Sequence, residues 1–249
     1  MFAFEIWGKF ASFRDPFTIS QNISLPIPPK STVAGMMASI LGREDYLKDD
    51  AFDFEYSLVV LNPVRKKSFS QNYINDYTAK TQTQINHLKK HNFEKVATGL
   101  RDKKNPQKPI NRELILYPRY LIFIKGFRYK KEMVENLQNK ISKFPFYLGN
   151  SEFAGNFKYI KIKSYQLLEL QKDFIVLDSF ISEEDLEHIV FQDNIRYSTL
   201  TFSTKLDKKR APVAMKSIII ANDKISVKGI KNIYKIETND REYFCRFIS

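Results

Sequence analysis

The chain has 249 residues, 43% of them hydrophobic and 14% aromatic, which is enough apolar material to bury a substantial core and excludes intrinsic disorder. Forty Lys and Arg residues against 28 Asp and Glu give a formal net charge of +12. Such a surplus favours a polyanionic partner, although a lysine-rich genome would produce the same total. The distribution of the charges along the chain therefore decides between these two explanations.

The number of cysteines and the length of the apolar runs indicate the cellular compartment. Cys245 is the only cysteine, which excludes a disulfide framework and a thiolate metal site, and we expect it in the core. The N-terminal stretch is too short and too charged for a signal peptide, and no apolar run approaches the roughly 18 residues needed to cross a bilayer. The sequence predicts a cytoplasmic protein without membrane contact.

The first elements follow from periodicity. Residues 2–10 alternate as a half-buried strand does, and residues 11–29 contain four prolines and predict an extended loop. A helix then begins, with Ser31 or Thr32 as its cap, and ends at Gly42. Its apolar face would consist of Val33, Met36, Met37 and Ile40.

Later runs complete an α+β pattern. Strands are predicted at 58–61, 114–124, 157–165 and 173–180, and a helix over 129–144 has Met133, Leu137 and Ile141 at intervals of four. This order predicts a ferredoxin-like (RRM-like) domain over residues 1–190, whose helices cover one face of an antiparallel sheet and leave the other available. A small β-rich extension would fill residues 191–249, with hairpin turns at Asn222-Asp223 and Asn239-Asp240.

Residues 65–112 differ in character from the rest. They contain twelve Lys or Arg, three Asp or Glu and few aliphatic residues, and so carry nine of the twelve net charges. Because such a segment supplies little core, we interpret it as a basic insertion that projects from the sheet. Its cations would hold phosphates and its aromatic rings would stack on unpaired bases, the alternative being a solvated loop. The residues concerned are Arg65, Lys66, Lys67, Lys89, Lys90, Arg101, Lys103, Lys104 and Arg112, interleaved with Phe69, Tyr73, Tyr77 and Phe93.

The run PIPPKST at 26–32 resembles half of a phosphate loop. No glycine precedes Lys30 at the required positions, so the backbone cannot wrap a triphosphate, and nucleotide hydrolysis is disfavoured. Two interpretations remain: an ordinary capped helix, or a helix start at which Lys30, Ser31 and Thr32 hold one phosphate of a polynucleotide.

The three histidines give weak signals. His87 and His91 are four residues apart, as paired zinc ligands on a helix are, but no third ligand is evident and neighbouring lysines would repel a cation. His188 follows an acidic turn that explains it without catalysis. The sequence predicts no metal and no cofactor.

Two separated stretches carry a family resemblance: FASFRDPFTISQNISLPIPPKSTVAGMMASILG at 10–42 and FYLGNSEFAG at 146–155. They resemble the Cas-five family, which belongs to the RAMP superfamily of CRISPR systems. The resemblance implies a non-catalytic subunit of a type I Cascade complex that caps the 5′ handle of the CRISPR guide RNA in antiviral defence. Its partners would be the backbone and large subunits, and target DNA through the complex, and the basic segment would be its thumb.

The resemblance also implies a set of RNA contacts. Handle phosphates would lie near Arg14 and the helix start at Lys30, Ser31 and Thr32, and a close-approach loop would lie beside them. That loop would consist of Tyr147, Gly149, Asn150 and Ser151, and the thumb contacts would be Lys66, Lys67, Arg101, Lys103, Lys104 and Arg112.

Two other functions stay open. One branch of the family cuts precursor RNA without metal and has a Lys-His pair ahead of the second helix, where this chain has Arg128, Tyr129 and Lys130. The missing histidine favours the non-cleaving branch over a metal-independent endoribonuclease. The remaining alternative is a generic single-stranded RNA-binding protein.

Overall fold

The structure, a computed structural model, describes residues 1–18, 21–74, 78–101, 107–169 and 173–249. Together they form a mixed α/β fold dominated by antiparallel strands. The helices and strands, in chain order, are β1 (Phe2–Gly8), β2 (Phe10–Ala11), β3 (Phe13–Arg14), β4 (Ser24–Leu25), α1 (Lys30–Leu41), β5 (Glu55–Val60), β6 (Arg65–Ile74), α2 (Thr78–Lys89), α3 (Phe93–Arg101), β7 (Gln107–Leu116), β8 (Arg119–Lys125), α4 (Lys130–Gln138), β9 (Gly155–Ile160), β10 (Ile162–Leu168), β11 (Ile175–Leu177), β12 (Ile181–Ser182), β13 (Tyr197–Leu206), β14 (Pro212–Ala221), β15 (Ile225–Val227), β16 (Ile233–Thr238) and β17 (Glu242–Arg246).

A four-stranded antiparallel sheet with the order β5-β8-β1-β9 lies at the centre. Because side chains alternate along a strand, Phe2, Phe4 and Ile6 of β1 point to one face of this sheet. There they join Met37 of α1 and Met133 of α4 in the largest buried cluster. The two helices therefore cover this face, as the sequence pattern predicts.

The second face of the central sheet is also covered. Ala3 and Phe123 lie in a second buried cluster with Tyr243 and Cys245 of β17, and the rings of Phe123 and Tyr243 are 5.6 Å apart. The strands that supply this cover belong to a separate sheet with the order β10-β16-β17. The expectation that this face stays available was wrong, because the C-terminal strands carry enough apolar side chains to bury it.

The ends of both predicted helices need correction. Helix α1 begins at Lys30 with Pro29 as its N-cap, and no side chain caps it, so Ser31 and Thr32 lie in its first turn instead of before it. Pro29 is already held in an extended conformation, and its carbonyl accepts the first helical bonds. The predicted end at Gly42 is confirmed, since Gly42 adopts a left-handed conformation with a φ of 68°. Helix α4 ends at Gln138, which leaves Ile141 outside it and 48% exposed.

Two strand predictions and one turn prediction also differ from the structure. The run 157–165 spans parts of β9 and β10, which belong to different sheets. The run 114–124 is two strands in different sheets, because Tyr117 has a φ of 50° and precedes Pro118, which breaks the ladder. The turn at Asn239-Asp240 joins the antiparallel pair β16 and β17 as predicted. The turn at Asn222-Asp223 closes no hairpin, since β15 pairs with β11, and β14 pairs with β13.

Residues 11–29 contain short strands as well as loop. Strands β3 and β4 pair with each other, and β2 pairs with β7. None of the helices in the described part of the chain is long and apolar enough to span a bilayer.

Candidate nucleic-acid interface

The two stretches that carry the family resemblance meet in space. The Ser12 amide donates a hydrogen bond to the Leu148 carbonyl at 3.2 Å, and the rings of Phe10 and Phe153 are 6.4 Å apart. Residues 10–14 and 146–155 are far apart in sequence. These contacts hold the loop of residues 146–155 against the N-terminal strands β2 and β3. We call this contact region the junction.

Gly149 is required at the junction for a steric reason. Its φ is 91°, and a Cβ atom there would lie 1.9 Å from the Ser12 carbonyl oxygen. No other residue type fits this position without moving the backbone. The predicted close approach at Gly149 therefore exists, and its partner in the structure is the chain's own backbone at Ser12.

The base of the basic segment is anchored to the same junction. Arg112 on β7 is 4% exposed and pairs with Glu152 at 2.7 Å. The same guanidinium donates to the Gln71 side chain at 3.0 Å and lies 5.1 Å from the centre of the Phe153 ring. Because its side chain is buried and its Nη1 atom contacts both Glu152 and Gln71, Arg112 orients the segment and is not exposed to a phosphate.

Residues 65–116 form what we call the basic arm: the ten-residue strands β6 and β7 pair along their whole length, and α2 and α3 lie between them in the chain. Alternation places Arg65, Lys67 and Phe69 on one face of the arm, and all three are exposed. Lys66 points to the other face, where it pairs with Glu113 at 2.9 Å and donates to the Ser24 carbonyl.

The helical end of the arm adds further exposed cations. Lys89 and Lys90 at the end of α2 are exposed, and Phe93 at the start of α3 is 63% exposed. Arg101 is the last residue of α3, but its side chain is not described. Lys103, Lys104 and Tyr77 lie outside the described residues, so their predicted contacts stay predictions.

Lys30 does not lie on the surface. Its side chain is 2% exposed, its ammonium is 3.3 Å from the Asp53 carboxylate, and it lies 5.4 Å from the centre of the Phe54 ring. Burial lowers the pKa of Lys30, and the nearby Asp53 carboxylate opposes that shift. Lys30 thus joins α1 to the segment before β5, and a phosphate could reach it only if this packing opened.

The other predicted handle contacts are accessible to different degrees. Arg14 is exposed and donates to the Thr18 carbonyl at 3.5 Å. Ser31 and Thr32 are half-buried, and Ser31 lines a small cleft of about 50 Å³ with Tyr46 and Thr204. In the loop of the junction, exposed side chains are contributed by Tyr147, Asn150 and Ser151.

The segment ahead of α4, where the cleaving branch has its Lys-His pair, is held by polar contacts. The Tyr129 hydroxyl donates to Asp49 at 2.8 Å, and this hydrogen bond raises the pKa of Tyr129. The Arg43 guanidinium lies 4.5 Å from the centre of the same ring. His188 lies elsewhere, with Nδ1 3.1 Å from the Lys228 carbonyl oxygen. No group of three His, Cys, Asp or Glu side chains that could hold a metal ion occurs within the described ranges.

Sequence reasoning missed one basic feature. Strands β13 and β14 form a long hairpin whose turn consists of Asp207, Lys208, Lys209, Arg210 and Ala211. The charge run KKR is a usable signal, but the surrounding residues match no pattern in the family resemblance, so the sequence assigns them no role.

The comparisons with known proteins define first a class and then a family. A chain of a solved "CRISPR RNA-guided surveillance complex" is similar in fold, with a TM-score of 0.56 and 11% identity over 90% of both chains. The family model for "CRISPR-associated protein (Cas_Cas5)" matches residues 1–207. The chain therefore belongs to this CRISPR-associated family, as the two stretches predicted.

Two further solved structures have lower TM-scores. A crystal structure titled "Cas protein" has 15% identity and a TM-score of 0.46, and covers 93% of this chain and 97% of that chain. A chain of a Type III-B Cmr-beta complex bound to cognate target RNA has 13% identity and a TM-score of 0.49, and covers 90% of this chain and 86% of that chain. No curated protein sequence matches this chain significantly.

Proposed function

We propose that this protein is a non-catalytic subunit of a type I CRISPR interference complex that binds and caps the 5′ handle of the guide RNA. Family membership supports a role in a CRISPR effector. The observation that carries the RNA-binding role is the basic arm, whose exposed cations Arg65, Lys67, Lys89 and Lys90 accompany exposed rings. Cations neutralise phosphates and aromatic faces stack on unpaired bases, which is the combination that single-stranded RNA requires.

The proposed architecture is a ferredoxin-like domain of the RAMP type with the basic arm as its thumb. The antiparallel order β5-β8-β1-β9, with α1 and α4 as the two helical connections on one face, supports this assignment. Because β16 and β17 cover the second face, we infer that RNA is held by the arm and the junction instead of by the open sheet. The division into residues 1–190 and 191–249 stays a prediction.

We infer a division of labour among the predicted RNA contacts. Arg14, Lys67, Tyr147, Asn150 and Ser151 are accessible and are retained as contacts. Lys30, Gly149 and Arg112 are buried or sterically committed, so we assign them the task of holding the arm and loop in position. Lys66 pairs with Glu113 and can serve both purposes, and Arg101, Lys103 and Lys104 remain proposed contacts of the arm.

The partners follow from the same proposal. In a cytoplasmic complex the arm would lie beside a backbone subunit and the guide RNA, the large subunit would pack nearby, and target DNA would be met through the assembled complex.

Binding and cleavage can be separated in one experiment. Purified protein is incubated with labelled precursor CRISPR repeat RNA in EDTA, the products are resolved on a denaturing gel, and binding is measured in parallel. Binding without cleavage supports handle capping. Cleavage at a discrete position within the repeat would make the protein a metal-independent endoribonuclease, and substitution of His91 or Tyr129 would then identify its acid–base groups.

The generic RNA-binding alternative is distinguished by competition. A handle-capping subunit retains the repeat RNA when an unrelated single strand is added in excess, and partner subunits co-purify with it. Equal affinity for any single strand, with a steep dependence on salt, would favour the generic alternative.

A further inference from the structure

The turn of the β13–β14 hairpin is strongly basic. Residues 205–216 contain five Lys or Arg and one Asp. Lys208, Lys209 and Arg210 are exposed, and none of them forms an ion pair with any described residue. We call these three residues the hairpin tip. They lie just beyond residue 207, where the family match ends.

The hairpin tip is held in one conformation by Asp207. Its carboxylate oxygen Oδ1 accepts hydrogen bonds from the amides of Lys209 and Ala211, both at 2.8 Å. The Asp207 amide donates to the Ala211 carbonyl at 2.9 Å, which closes the turn. The three cations are therefore displayed from a fixed turn, which reduces the entropy lost when they bind.

Arg210 occupies a position that favours glycine or asparagine. Its φ is 64°, in the left-handed region that a residue with a Cβ atom adopts at a cost. Glycine would adopt this conformation with less strain than arginine does. What arginine adds at this position is its positive charge.

The β13 strand that leads to the hairpin tip packs against α1. Thr204 and Leu206 at the end of β13 line the small cleft together with Ser31 and Tyr46. Burial raises the pKa of Tyr46, and the charge of Arg210 opposes that shift. The base of the hairpin therefore lies beside the first turn of α1, which contains Ser31.

We infer that the hairpin tip is a second phosphate-binding surface, which grips the backbone of the same single-stranded RNA at a point separate from the arm. The inference rests on the proposed function. A fixed turn with three exposed cations, none of them in an ion pair with a described residue, fits the phosphate backbone of a flexible polyanion. An acidic surface of another protein is the alternative partner. Measurements of RNA binding and of subunit association distinguish the two partners.

The test compares full-length variants in binding to labelled single-stranded CRISPR repeat RNA over a range of salt concentrations. The tip variant is K208Q/K209Q/R210G, and the arm variant is R65Q/K67Q. A control, K131Q/K161Q/K231Q, removes three exposed cations elsewhere. We expect the tip variant to bind roughly tenfold or more weakly, and its salt slope to fall by about 2, since each lost contact to single-stranded RNA removes about 0.7. The control variant should lose less than threefold.

A single substitution separates binding from folding. Arg210→Gly relieves the left-handed backbone, so we expect a higher melting temperature together with weaker RNA binding. If Arg210 only completes the turn, the melting temperature rises and the affinity is unchanged, which overturns the inference.

The remaining outcomes are distinct. Loss of affinity in the arm variant with full affinity in the tip variant overturns the second surface and leaves the proposed function intact. Equal losses of RNA affinity in the tip and control variants would show a general effect of charge and would overturn the second surface. Retained RNA affinity with lost association of another subunit makes the tip a protein contact. No binding by the wild-type protein overturns the proposed function and this inference together.

Discussion

Single residues of the two stretches that carry the family resemblance divide into those that hold the backbone and those that face solvent. Gly149 and Lys30 belong to the first group, because one meets the Ser12 carbonyl and the other is buried against Asp53 and Phe54. Arg14 and Tyr147 belong to the second group. A motif alone does not make this distinction, since burial depends on segments that are remote in sequence.

Gly149→Ala should destabilise the protein far more than the same change at Gly126. Both glycines have a positive φ, but a Cβ at Gly126 meets nothing within 4 Å, whereas one at Gly149 overlaps the Ser12 carbonyl. We expect a loss of roughly 3 kcal/mol at Gly149 and about 1 kcal/mol at Gly126, measured by chemical denaturation. Equal losses would contradict the close approach.

Lys30→Met should leave stability at neutral pH within about 1 kcal/mol, because it keeps the buried stem and removes a desolvated charge, while Asp53 keeps Lys205 as a partner at 3.4 Å. Burial lowers the pKa of Lys30 below its ordinary value of 10.5, so the unfolded state binds the proton more tightly. Wild-type stability should therefore rise as pH increases from the lowered pKa towards 10.5, and that rise should be smaller in Lys30→Met. Denaturation at a series of alkaline pH values measures this, and identical curves would argue against a buried ammonium.

Arg14→Ala should weaken RNA-dependent assembly and leave the melting temperature unchanged. The side chain is exposed, and to the described residues it makes one long hydrogen bond, at 3.5 Å, so its removal should change stability by less than about 0.5 kcal/mol. Assembly is followed by co-purification of guide RNA with the complex. Full assembly with Arg14→Ala would remove Arg14 from the RNA contacts.

Among the elements, the arm could be predicted in part from the number of its charged residues. The surplus of cations in residues 65–112 is visible in the sequence, but pairing between β6 and β7 is not, because these strands have few aliphatic residues to alternate. The sequence also cannot tell that Lys66 and Arg112 are paired with Glu113 and Glu152, while Lys67 is exposed. Partners of that kind become known only when the register and the loop contact are known.

Charge removal on the exposed face of the arm should reduce RNA affinity without loss of stability. We expect R65Q/K67Q to weaken binding about fivefold to tenfold and to lower the salt slope by about 1.4, since each contact contributes about 0.7. Fluorescence anisotropy over a salt series measures both quantities. K131Q/K161Q removes the same charge outside the arm and should have little effect, and a similar loss in both variants would contradict specific contact by the arm.

On the scale of the whole molecule, the succession of strands and helices along the chain and the covering of one sheet face by α1 and α4 follow from periodicity and could be predicted. The cover on the second sheet face could not, because short C-terminal strands such as β17 could equally well have formed a separate hairpin. Their packing depends on Tyr243 and Cys245 meeting Ala3 and Phe123, a long-range contact that no local pattern encodes. This packing moves the expected RNA surface from the sheet to the arm.

The single cysteine reports on this packing. Burial raises the pKa of Cys245, so its thiolate is scarce and shielded in the folded protein. We expect reaction with a thiol reagent at neutral pH to be slow and to follow global unfolding, while Tyr243→Ala, which opens the cover, should accelerate it more than tenfold. Rapid labelling of the native wild-type protein would contradict a covered second face.

The central claim is that guide RNA lies along the arm and the junction. Ultraviolet crosslinking of the protein to labelled CRISPR repeat RNA, with the crosslinked peptides mapped by mass spectrometry, tests it most directly. We expect crosslinks at the exposed aromatic residues Phe69, Phe93 and Tyr147. Crosslinks confined to the sheet formed by β10, β16 and β17, with none on the arm, would contradict it.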